Sequence, residues 1–305
     1  MSADKTMHTR RLASWLDQPV HTLKAHWRQL QVPALAVLVT SLLMVLSAQL
    51  MSLVASTPGA VPSPTQLAAT LAVSIGVLPV LVVLSELFST AGLVLLEEGR
   101  PLSVSGMVAR ALQGHVLLAV LMRLLLHGVL LVLTIVTCGL GIVVWLGVLM
   151  YLPLVVPVAM REGIGGVAAV RRSMQLVWWR PTGGPAMGSA DRVVVGYHVV
   201  AGLTYAVAAL PGLPSLVWNG LTLWGMVADG SLDASMLQSG ALQAQLTPPM
   251  WLVVPVQLAT SVMGLVATFY TQQLFLDLHR DLQDAREGHD FDRALDQLED
   301  GTASA

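Results

Sequence analysis

Long runs of apolar residues, separated by short polar stretches, dominate the pattern along this chain. Six runs reach the roughly 20 apolar residues that a helix needs to cross a bilayer. They cover residues 33–54, 67–96, 115–137, 139–160, 193–218 and 249–276. The pattern predicts an all-α, polytopic membrane bundle in which six transmembrane helices form three hairpins. Residues 1–32 are expected to form an amphipathic N-terminal segment, and residues 277–305 an acidic C-terminal tail.

A Glu-Gly pair lies after the second, the fourth and the sixth apolar run. The pairs are Glu98-Gly99, Glu162-Gly163 and Glu287-Gly288. Glycine tolerates sharp turns, so each pair would let the chain leave a membrane helix. Short amphipathic helices are predicted to follow and to lie along the cytoplasmic interface.

The second of these helices has the clearest pattern. Apolar residues recur at helical spacing, with Arg171 and Arg172 off the apolar stripe. The stripe comprises Ile164, Val167, Val170, Met174 and Val177. Arginines beside a terminal pair of tryptophans suit the lipid headgroup layer. The predicted headgroup contacts are Arg161, Arg171, Arg172, Trp178, Trp179 and Arg180. A helix packed under the bundle without lipid specificity is the alternative.

The positive charges predict the orientation. Fifteen of the 16 Lys and Arg residues precede the first run, follow the sixth, or lie in the second and fourth connections. Basic residues concentrate in short cytoplasmic segments, so both termini are predicted to be cytoplasmic. Frequent Ala, Leu and Val, with Arg far outnumbering Lys, favour a bacterial cytoplasmic membrane.

Composition excludes several functional classes. Only 11% of the residues are charged, against about 25% in soluble domains. A net charge of −2 argues against nucleic acid as a partner. Cys138 is the single cysteine, which excludes an intramolecular disulfide. Common nucleotide, metalloprotease and serine-hydrolase motifs are missing from the sequence. We therefore expect no metal, no cofactor and no enzymatic activity.

Three polar residues inside the apolar runs form a candidate intramembrane site. Glu86 lies in the second run, and Arg123 and His127 lie four residues apart in the third. The two helices would be antiparallel neighbours, so Glu86 could pair with either residue. Such a pair could fix helix docking or relay protons or substrate, and shifted helix ends would put these groups nearer the interface.

Two stretches carry a family resemblance. "PVAMREGIGGVAAVRRSMQLVWWRP" and "LFLDLHRDLQDAREGHDFDRALDQL" resemble motifs of the six-helix membrane domain fused to some bacterial glycerophosphoryl diester phosphodiesterases, and of its stand-alone relatives. The resemblance covers nearly the whole chain and implies the fold. The phosphodiesterase domain has no counterpart here, so diesterase activity is not implied.

These observations favour an accessory or scaffold protein that associates with membrane lipids or with a partner membrane protein. The alternative is a small transporter or channel with a central polar site at Glu86, Arg123 and His127. A lipid-modifying enzyme is a third hypothesis, for which the sequence offers no catalytic constellation.

Overall fold

The computed structural model describes residues 12–40, 42–43, 78–137, 148, 150–178, 189–231, 246 and 248–303. Throughout these ranges the secondary structure is helical, without a strand. The helices are α1 (Leu12–Ala25), α2 (Gln31–Thr40), α3 (Leu78–Glu97), α4 (Val104–Ala111), α5 (Gly114–Val136), α6 (Val155–Glu162), α7 (Gly166–Trp178), α8 (Ser189–Ala209), α9 (Leu213–Ala228) and α10 (Met250–Ala303). Short 3₁₀ turns at Leu152–Leu154 and Leu210–Gly212 precede α6 and α9.

The chain divides into two compact units. The first comprises Met1–Leu30, Thr90–Gly202 and Phe269–Ala305, and the second comprises Gln31–Ser89 and Leu203–Thr268. In the first unit α5 packs against α6 and α7, and α6 also packs against α7. α6 is buried along most of its length, from Val155 to Met160. Ser103 caps α4 by accepting a hydrogen bond from the amide of Gly106, which satisfies a helix-end donor.

In the second unit, large apolar side chains are exposed. Leu216, Leu221 and Trp224 on α9 and Trp251 on α10 are among them. A helix that is apolar on all sides suits burial or a membrane, because its surface has no polar face to hydrate.

Four of the described helical stretches are long and apolar enough to cross a membrane. They are Val80–Glu97, Gly114–Thr134, Val194–Ala228 and Trp251–Asp284. The helix pair Leu152–Glu162 and Gly166–Trp178, bent by 113°, is a fifth candidate if it forms one broken span. The all-helical class and the membrane character are therefore supported, whereas six spans in three hairpins stay a prediction. Residues 41, 44–54, 67–77, 139–147 and 149 of the predicted runs lie outside the described residues.

Two predicted boundaries differ from the structure. The connection predicted to begin at Asn219 is helical as far as Ala228, because the apolar pattern continues through "LTLWGMVA". The helix of the sixth run does not end with that run at residue 276, since α10 continues without interruption to Ala303.

Candidate functional site

Glycines in the left-handed region close the ends of α3 and α6. Gly99 has a φ of 67° and Gly163 a φ of 69°. The amide of Arg100 donates to the carbonyl of Leu95, and the amide of Gly163 donates to the carbonyl of Ala159. These are the hydrogen bonds of glycine-terminated helices. Two of the three Glu-Gly pairs thus stand at sharp helix ends, each with its glutamate just before the glycine.

The third predicted turn, at Glu287-Gly288, is wrong. α10 passes through both residues as a continuous helix. A single glycine inside a helix costs only about 1 kcal/mol relative to alanine. The proline within α10 is Pro255, far from this point, so nothing forces the helix to stop here.

Glu97, the last residue of α3, binds two arginines. Nη2 of Arg161, at the end of α6, donates to Oε2 of Glu97. Nη2 of Arg280, on α10, donates to Oε1 at 3.2 Å. The side chains of Arg161 and Glu97 are 15% and 20% exposed, so solvent screens this ion pair less than a fully exposed pair. Since each residue comes from a different helix, these bonds fasten the ends of α3 and α6 to the middle of α10.

Arg161 makes further contacts with α10. Its Nη1 donates to the carbonyl oxygen of Leu276 at 2.7 Å and lies 3.3 Å from Nδ1 of His279. The fully buried His279 places Nε2 3.0 Å from Oε1 of Glu162. A neutral imidazole protonated at Nε2 satisfies both contacts, because it donates to Glu162 and accepts from Arg161.

Glu162 also binds a cation. Nε of Arg172 donates to both carboxylate oxygens of Glu162, at 2.8 and 3.1 Å. Glu162 lies outside the four candidate spans. Burial raises the pKa of Glu162, but the hydrogen bonds from His279 and Arg172 outweigh burial and hold this pKa below its ordinary value of 4.5. Glu162 is therefore an anion at neutral pH. We call the following six residues the polar cluster: Glu97, Arg161, Glu162, Arg172, His279 and Arg280.

Arg110 of α4 joins the same helix ends. Its Nη2 donates to Oε1 of Glu98 at 2.6 Å and to the carbonyl oxygen of Met160 at 2.7 Å. One guanidinium thus connects the end of α3 with the end of α6. Glu97 and Glu98, the two glutamates before Gly99, therefore each bind an arginine from a neighbouring helix.

The predicted intramembrane site is divided between the two units. Glu86 belongs to the second unit, and Arg123 and His127 belong to the first. Nδ1 of His127 lies 2.8 Å from the carbonyl oxygen of Arg123, so this histidine bonds to its own helix. The pairing of Glu86 with Arg123 or His127 stays a prediction.

The predicted headgroup residues differ in their surroundings. Arg161 and Arg172 use their charges in ion pairs within the protein. Arg171 and Trp178 are exposed. Trp179 and Arg180 lie outside the described residues.

The buried face of α7 is rotated from the predicted apolar stripe. Its buried residues are Ala169, Val170, Ser173, Leu176 and Val177. Val167 and Met174, which belong to the predicted stripe, are 65% and 41% exposed. The helix has two apolar faces: one packs against α5 and α6, and the other is open.

The sequence did not predict the contribution of α10 to the polar cluster. Asp277, His279 and Arg280 were assigned to a tail, yet Asp277 and His279 are buried. The apolar run contains two amide side chains, Gln272 and Gln273. These amides indicate that this helix face meets polar groups. In the described part of the chain, groups of three or more His, Cys, Asp or Glu that could hold a metal ion are absent.

No protein-family model, curated protein or solved structure matches this chain.

Proposed function

We propose that this protein is a non-enzymatic accessory or scaffold protein of a bacterial cytoplasmic membrane, and that α7 lies in an anionic headgroup layer on the cytoplasmic side. The observation that carries the proposal is the open face of α7. Val167, Met174 and Trp178 are exposed there, the last by 56%. They are seven and four residues apart, which keeps them on one face of the helix.

The charge on this face favours anionic lipid as the occupant. Arg171 is exposed beside the apolar residues. The α7 segment, "GVAAVRRSMQLVW", contains no acidic residue. Apolar residues that enter the acyl boundary beside a cation that meets phosphate characterise interfacial helices. The 113° bend between α6 and α7 suits a chain that leaves the membrane and turns along its surface.

The polar cluster supports a structural role for the ends of the helices. Its three arginines each bind a glutamate of the same chain. We also propose that the chain is a stand-alone relative of the six-helix domain that its motifs resemble. Transport through Glu86, Arg123 and His127 stays the alternative.

A fluorescent label on α7 tests the interfacial position. Cys138→Ser removes the single cysteine, and Met174→Cys then accepts an environment-sensitive dye. In vesicles with anionic lipid we expect nitroxide groups on the upper acyl chain to quench this dye more strongly than aqueous iodide does. Gln175→Cys, on the other edge of the exposed face, is the matched control and should respond more to iodide. Stronger quenching of the Met174 label by iodide than by lipid nitroxide would refute the proposal.

Charge removal tests the lipid class. One basic residue near an anionic surface contributes about 1 kcal/mol, which is roughly a fivefold change in binding. Arg171→Gln should therefore reduce the anionic lipid that copurifies in mild detergent by up to about fivefold. Arg171→Lys keeps the charge and should retain that lipid. Equal lipid content in both variants and the wild type would exclude a headgroup role for Arg171.

A further inference from the structure

Asp277 on α10 is a buried acid with an unsatisfied oxygen. Its side chain is only 3% exposed. Oδ1 accepts a hydrogen bond from the side-chain amide of Gln273 at 3.1 Å. The other oxygen, Oδ2, is buried and receives no hydrogen bond from the described residues. Buried acceptors are normally paired, so this oxygen indicates a missing donor or cation.

Gln273, one helical turn earlier, presents a second unsatisfied oxygen. Its side chain is 2% exposed, and its Oε1 also lacks a donor among the residues that the structure describes. Residues four positions apart lie on the same helix face, so the two oxygens belong to one small region. Oxygen acceptors without a donor are the groups that hard cations such as Na⁺ prefer.

Charged groups of both signs lie near Asp277. Glu97 on α3 and Asp281 on α10 are like charges, and Arg280 is the opposing one. Arg280 donates to Glu97, and Arg161 binds Glu97 as well, so two arginines offset the charge of Glu97. Asp281 accepts a hydrogen bond from the neutral hydroxyl of Tyr197 on α8, at 2.9 Å. A cation at Asp277 is therefore favoured by the unpaired oxygen of Asp277, not by an excess of negative charge around it.

We propose that Asp277 and Gln273 form a binding site for one monovalent cation, either Na⁺ or a proton. Na⁺ and the proton each supply a single positive charge and need little space. Na⁺ would take Oδ2 and Oε1 as ligands, whereas a proton on Oδ2 would convert this unpaired acceptor into a donor. The site is separate from the open face of α7, so the two proposals can fail independently.

Thermal unfolding of the purified full chain in detergent distinguishes the two ions. The eight tryptophans report unfolding by fluorescence. In the first series, NaCl replaces choline chloride at pH 8 and constant ionic strength. In the second, the pH falls from 8 to 5 in choline chloride. A ligand at one hundred times its Kd should raise the unfolding midpoint by roughly 5–11 °C. A rise in the first series identifies Na⁺, and a rise in the second alone identifies the proton.

Asp277→Asn removes the charge with little change of volume and should abolish the rise. Asp281→Asn is the matched control: it changes the same residue type on the same helix and retains an oxygen for Tyr197. It should keep the rise, displaced to a higher Na⁺ concentration or a lower pH because one neighbouring negative charge is removed. If Asp277→Asn does not fold, Gln273→Met tests the site, because it removes the amide oxygen. The Na⁺ or proton concentration that gives half of the rise in the unfolding midpoint should then increase by about tenfold. The proposal is overturned by a wild type whose midpoint is flat in both series, or by Asp277→Asn or Gln273→Met with an unchanged wild-type dependence.

Discussion

Gly165, in the turn between α6 and α7, permits the closest approach between this turn and α5. A Cβ atom at this position would lie 2.3 Å from the carbonyl oxygen of His115, 2.6 Å from its Cα and 2.8 Å from its carbonyl carbon. All three are backbone atoms, so no side chain can rotate away. Gly165→Ala must therefore move the turn away from the start of α5.

The expected cost is at the upper end of the range for overpacking, about 3 kcal/mol. At roughly 2–4 °C per kcal/mol, the unfolding midpoint should fall by about 6–12 °C. The measurement is thermal unfolding in detergent, followed by tryptophan fluorescence.

Gly128→Ala, on the helix α5 that the Gly165 turn contacts, is the matched control. A Cβ atom there meets nothing within 4 Å. Alanine should stabilise this helix by about 0.5–1 kcal/mol, because glycine loses more backbone entropy on folding. If Gly165→Ala unfolds at the same temperature as Gly128→Ala, the close contact with His115 does not limit packing and the reasoning is wrong.

Three further predictions concern the polar cluster. Glu97→Gln should destabilise the protein by about 2 kcal/mol, because it leaves Arg161 without its carboxylate. Combining it with Arg161→Met should cost less than the sum of the two single changes, and additive midpoints in denaturant titrations would contradict the pairing. His279→Gln can still donate a hydrogen bond from the position of Nε2, so it should be about 1 kcal/mol more stable than His279→Asn; the reverse order would indicate another tautomer. Folding lowers the pKa of Glu162, so its stabilising contribution is complete above pH 4.5 and is lost as the pH falls through the folded pKa. Glu162→Gln should therefore flatten the acid side of the curve of unfolding free energy against pH. An unchanged acid side would show that the ion pairs of Glu162 do not stabilise the fold.

Features that depend on residues adjacent in the chain could be predicted from the sequence. The positive φ of Gly99 and of Gly163 depends on adjacent residues, and the sequence pattern pointed to a turn at each. The same reasoning failed at Gly288 because one glycine does not overcome the helical preference of its neighbours. Apolar length also predicted the four described helices that are long and apolar enough to cross a membrane.

Contacts between residues far apart in the chain could not be predicted from the sequence. Glu97 and Arg161 are separated by 64 positions, and no local pattern links them. On α7 the periodicity identified a helix but not which residues of the apolar stripe are buried, because Val167 and Val170 are both valines and only packing decides which is covered. A membrane also permits apolar residues on the outer face, which removes the contrast that identifies a core.

The multiple contacts of Arg161 have a consequence for the dynamics of this region. One guanidinium bonds to Glu97 on α3 and to the carbonyl of Leu276 on α10. Withdrawing Arg161 breaks the contacts to both helices in a single event, and the end of α6 loses its hold at the same moment. These helix ends should therefore open as one cooperative segment rather than fray separately. In native-state hydrogen exchange, the final turns of α3 and α6 and the turn of α10 around Leu276 should share one opening free energy.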